Sequence, residues 1–87
     1  MDKKDLLIKK AKNMNDILPK DLLGTLLSQL FWCSENTRKT GKITQENLGR
    51  ILTVNDILIN HYKMTWEETR DLFTEYGLQT NMIEKIN

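Results

Sequence analysis

Two side chains carry most of the catalytic potential of this sequence, its one histidine, His61, and its one cysteine, Cys33. A thiol–imidazole dyad would need the two to meet beside a group that activates the thiol. Their local settings oppose that. Cys33 falls on the apolar arc of a helix, where a thiol behaves as a small inert hydrophobe. His61 falls on the flank of a different helix, away from its leucine face. A structural zinc site takes four ligands of this kind, and no Glu-x-x-His pair exists for a di-metal bundle site. Thr40-Gly41-Lys42-Ile43-Thr44 contains a Gly-Lys pair but lacks the upstream glycine of a phosphate-cradling loop. The expectation is therefore a chain that is not an enzyme, with no catalytic residues, no metal and no cofactor.

Binding residues are better represented. Glu67, Asp71 and Glu75 recur at i, i+4 and i+8, an acidic stripe that could receive a basic partner. Acids in a first helical turn also favour the helix dipole, which is the structural explanation for Glu67 and its neighbour Glu68. Trp32 falls outside the leucine arc of its helix, beside Thr25, Ser28, Glu35 and Asn36. Val54 and Ile57 likewise fall off the main stripe of theirs. Trp is enriched at interface hot spots, so Trp32, Val54 and Ile57 are expected to form a contact surface and not the core. Asn55 is centred in an apolar face, either as an amide paired to backbone or as a polar residue fixing register between copies.

The elements that must position these residues are helices. Apolar residues recur at three- and four-residue steps, and strict alternation is absent. The first helix is expected over Lys3–Met14, carrying Leu7, Ala11 and Met14. The second begins near Pro19, a first-turn residue, and stops at Gly41. Leu22, Leu23, Leu26, Leu27, Leu30, Phe31 and Cys33 fill a broad arc of it, as a central helix requires. Thr44 caps the third, with Ile43 packing on Leu48 as a hydrophobic staple, and this helix runs to about Lys63. Leu48, Ile51, Leu52, Leu58, Ile59 and Tyr62 line its face. Thr65-Trp66-Glu67-Glu68 is a capping box opening the fourth, whose face is Trp66, Thr69, Leu72, Phe73 and Tyr76. Gly77 ends it in a Schellman turn that folds Leu78 back on Phe73. A last short helix is expected over Asn81–Ile86.

The chain has 87 residues, one domain's worth, and a formal net charge of +1. A domain of this size buries only about 60–65% of its unfolded surface, so support from a partner or a second copy is a reasonable expectation. Charge is uneven: lysines crowd residues 1–12 and acids crowd residues 65–87, two faces that attract each other weakly. A lone cysteine excludes an internal disulfide. No apolar run approaches a membrane span, and the start lacks a secretory leader, so a cytosolic protein is expected. Abundant Lys and Asn with sparse Arg point to an AT-rich genome, such as a low-GC bacterium or its phage.

The reading is an all-α domain over residues 1–87, a compact bundle of four helices plus a short C-terminal helix. Its expected function is non-catalytic binding of another protein, with homodimerisation in view, as a small bacterial or phage regulator, inhibitor or accessory factor. The alternative is a small nucleic-acid-binding regulator using Arg38, Lys39 and Lys42 with the N-terminal lysines. A helix-turn-helix formed by the fourth helix, Gly77 and the last short helix would have only Lys85 as a cation on its reading helix.

Overall fold

The starts of the third and fourth helices, marked in the sequence by Thr44 and Thr65, are built as marked. The computed structural model describes residues 2–14 and 17–85, with the backbone alone at 17–21. Helix α1 is Lys3–Asn13, and Asp2 accepts from the Asp5 amide at its head. Helix α2 is Ile17–Thr40, so Pro19 lies within the first turn, where amides have no helical partner to lose. Helix α3 is Gln45–Asn60, with the Thr44 hydroxyl accepting from the Asn47 amide. Helix α4 is Trp66–Glu75, opened by the full capping box: the Glu68 amide donates to the Thr65 hydroxyl, and the Thr65 amide to the Glu68 carboxylate.

Helices α2, α3 and α4 each close on a residue with positive φ. After α4, Gly77 sits at φ 74°, its amide donates to the Thr74 carbonyl, and the Leu78 amide donates to the Phe73 carbonyl. That is the Schellman closure, and Phe73 and Leu78 are both buried. After α3, Lys63 holds the left-handed position at φ 58°, and the Met64 amide reaches back to the Leu58 carbonyl. Gly41 ends α2 at φ 75°, its amide donating to the Thr37 carbonyl. In each case φ is positive, a conformation that a Cβ penalises and glycine tolerates.

The short C-terminal helix is a single 3-10 turn, Thr80–Met82, one residue earlier than expected, and the chain after it is extended. Ile86 of the expected span lies outside the described residues. The extended part forms a parallel bridge between Ile83 and Ile43. The Ile43 amide donates to the Met82 carbonyl, the Glu84 amide donates to the Ile43 carbonyl, and Gln45 donates from its side chain to the Glu84 carbonyl. The segment becomes a strap over the α2–α3 loop, because the loop offers Ile43's free backbone pair and Ile83 gains an apolar seat beside the core.

The fold is all-α, with no strand among the described residues. Helices α1 and α3 each pack on both α2 and α4, so α2 and α4 lie across the bundle from one another. At about 1.5 Å per residue α2 is roughly 36 Å long, and it sets the long axis of a 44 × 23 × 20 Å molecule. Leu26, Leu30 and Cys33 of α2 are buried with Leu7 and Ala11 of α1, Val54, Leu58 and Tyr62 beside them, and Leu72 and Phe73 of α4. No described helix is long and apolar enough to cross a membrane.

Several side-chain placements depart from the sequence reading. Val54 is buried in the core at 3% exposure, and Ile57 is half-buried against it, so these two do not form a free surface with Trp32. Phe31 and Trp66, expected on covered faces, are exposed at 53% and 72%. Those on α3 follow from rotation. The covered face of α3 runs through Asn47, Val54 and Leu58, turned by roughly 80° from the stripe centred on Asn55, at 100° per residue. Covering that side of α3 leaves Leu52 exposed on the other.

Candidate docking groove

The apolar surface left over by that rotation is concave. Between α3 and α4, closed at one end by the strap, lies a groove of about 940 Å³. Leu48, Ile51 and Leu52 form one wall, with Asn55 among them, and Trp66 and Phe73 stand on the α4 side. Ile43, Leu78 and Ile83 close the end. Each part has a local cause. The capping box fixes where α4 starts, which puts Trp66 at its first position, where the ring is left exposed. The Schellman turn folds Leu78 inward, and the strap brings in Ile83.

The polar rim is small. Glu67 and Arg70 stand on α4 beside the opening, and the Arg70 guanidinium is 3.9 Å from the Asp71 carboxylate. The trough is mostly apolar, with few charged groups at its opening. Asn55 is half-buried in the wall. Neither the groove nor Asn55's place in it is visible from a helical wheel, which marks an apolar arc but not which part a neighbour covers. The available signal was the width of the α3 arc, broader than one neighbour could cover.

The acidic stripe splits. Glu67 borders the groove, whereas Glu75 is used inside the fold: its two carboxylate oxygens accept from the Lys3 amide at 2.9 and 2.8 Å. Glu68 has its carboxyl held below the ordinary glutamate value, first by the hydrogen bond from the Thr65 amide and then by the fields of Lys10 and Lys3. Of the acids of α4, Glu75 thus meets the backbone of α1 and Glu68 feels the fields of its Lys10 and Lys3.

Trp32 is exposed at 57%, on the outer side of α2, with Phe31 beside it. Their rings meet edge to face, centroids 6.0 Å apart at 74°. This pair is not part of the groove. Cys33 is buried, and burial pushes its thiol up in pKa, with Arg50 opposing weakly. His61 is exposed at the end of α3. Among the described residues no three His, Cys, Asp or Glu side chains gather as a metal ion would need.

For the nucleic-acid alternative, Arg38 is drawn into an ion pair with Glu35, while Lys39 and Lys42 are exposed. The segment after Gly77 makes a three-residue turn and an extended strap, not a reading helix. No family model, curated protein or solved structure matches this chain.

Proposed function

We propose that this chain is a non-catalytic binding module whose α3–α4 groove receives an apolar segment of a protein, in the manner of a small cytosolic regulator, inhibitor or accessory factor of a bacterium or phage. One observation carries the reading: Leu52 and Trp66, exposed at 55% and 72%, both line the apolar α3–α4 trough. Fully burying a large apolar side chain contributes about 1.5–3 kcal/mol, and an uncovered pair at the mouth of a groove is where that gain is available on binding. Association also costs about 4–15 kcal/mol in lost freedom, so the groove supports weak, reversible docking in which pocket-filling anchors decide affinity.

A photo-reactive residue at position 52, or at position 39 or 42, used in lysate of the source organism with and without nuclease, tests the reading. The expected product is a protein adduct that disappears when Trp66 is replaced by alanine. Adducts to nucleic acid from position 39 or 42, with none to protein from position 52, would overturn it in favour of the nucleic-acid regulator.

A further inference from the structure

The large exposed apolar side chains of the described residues are Phe31, Trp32, Leu52 and Trp66, and they form two patches. Leu52 and Trp66 line the groove, while Phe31 and Trp32 project as an edge-to-face pair from the outer side of α2. One patch is concave and the other convex. We propose that they are each other's cover: the outer face of α2 from a second copy of this chain occupies the α3–α4 groove. The inference rests on the groove being a docking site and names its occupant.

Charge fixes the direction. Glu35 and Arg38 stand one turn apart beyond Trp32 on α2, and Glu67 and Arg70 stand one turn apart on α4. Both pairs read acid then base along the chain. Laid parallel, the two helices would set acid against acid; laid antiparallel, they bring Glu35 level with Arg70 and Arg38 level with Glu67. The same register sets Trp32 over Phe73 in the groove floor. It also carries Lys39 to the exposed face of Trp66, within the reach of a cation–π contact. On each helix these residues span an arc of about 120° at 100° per residue, so one line of contact serves them all.

The two surfaces belong to helices on opposite sides of the bundle, so the contact is between unlike patches. Such contacts join copies head to tail, as a ring if the rotation closes and as an open chain if it does not. The apolar contact is small beside a standard interface, so assembly is weak and concentration-dependent.

Sedimentation of the full chain from about 10 µM to 1 mM tests the proposal. The wild type is expected to climb in mass past the dimer. Trp32→Glu and Trp66→Glu should each stay monomeric alone, with unchanged helical circular dichroism, yet form a dimer that grows no further when mixed. Arg38→Glu and Glu67→Arg should each lose self-association and recover it when the two are mixed. A wild type that remains monomeric throughout, or stops at a dimer abolished equally in the mixture, would overturn head-to-tail docking. If a position-52 crosslink to a foreign protein persists in that case, the inference alone falls. If position 52 gives neither self nor foreign adducts, the docking role of the groove falls with it.

Discussion

The carboxylate of Glu75, in the last turn of α4, caps the Lys3 amide at the first position of α1, 72 residues earlier in the chain. With Asp2 serving the Asp5 amide, two of the unpartnered amides of α1 find acceptors, one local and one tertiary. A charged acceptor near a helix start also complements the dipole. Replacing Glu75 by alanine is expected to lower stability by about 1 kcal/mol, in the range of a lost cap. Urea melts of the two proteins measure it, and an unchanged midpoint would show that the contact is not made in solution.

The capping box of α4 should show in the pH dependence of stability. The Glu68 carboxyl is held below its ordinary value of 4.5, mainly by the Thr65 amide. A carboxyl depressed in the folded state contributes stability that is complete above its unfolded pKa and is lost as pH falls through the folded one. The stability gap between wild type and Glu68→Ala should therefore be constant near neutrality and shrink progressively below about pH 4.5. Thr65→Ala, which removes the other half of the box, should cost about 1 kcal/mol at pH 7.

Core and groove should separate cleanly in mutational melts. Leu26→Ala or Leu30→Ala removes a side chain that is 1–2% exposed, and such cavities cost about 2–5 kcal/mol. Val54→Ala should cost about 1–3 kcal/mol as a core truncation. Trp66→Ala and Leu52→Ala, by contrast, should stay within about 0.5–1 kcal/mol, because those side chains are largely solvated in the free chain. A large loss at Trp66 would mean that its ring is covered.

Lys63 offers a gain. It holds the left-handed position that Gly77 fills after α4, and a Cβ there costs about 1–2 kcal/mol. Lys63→Gly relieves that strain while losing the Nζ bond to the Asn60 carbonyl and adding unfolded-state freedom. The net expectation is a rise of up to about 1 kcal/mol, read from the thermal midpoint. A fall would show that the Nζ bond outweighs the backbone.

Cys33 should report unfolding. Burial raises its thiol pKa and removes it from solvent, so little thiolate is available for alkylation in the native state. Labelling by iodoacetamide at pH 8 should be slow in buffer and accelerate with urea in step with loss of helix. Labelling at the rate of a free thiol in buffer would place Cys33 at the surface.

What the sequence disclosed was local. Thr44, Thr65, Glu68, Gly41 and Gly77 act on amides and carbonyls within a few residues, so their roles are written in short stretches of chain. What it concealed was relational. Trp32 could be placed outside the α2 arc, but Val54 was misplaced because the neighbours of α3 lie to one side of its apolar arc. Glu75 looked like part of a surface stripe because nothing near it in sequence announces an amide at residue 3. The groove was hidden for the same reason: it is the share of two apolar arcs that packing leaves uncovered.

The reach of the Lys3–Glu75 contact has a consequence during synthesis. Translation proceeds at about 5–20 residues per second, so the 72 residues between the partners take roughly 4–14 s to follow. For most of that interval α1 has been made while α4, one of the two helices it packs on, has not. Leu7 and Ala11, both buried at the end, then lack part of their cover, and an 11-residue helix has little stability alone. Completion of this domain therefore waits for its last helix, and a nascent chain paused before residue 66 would present α1 to chaperones and proteases.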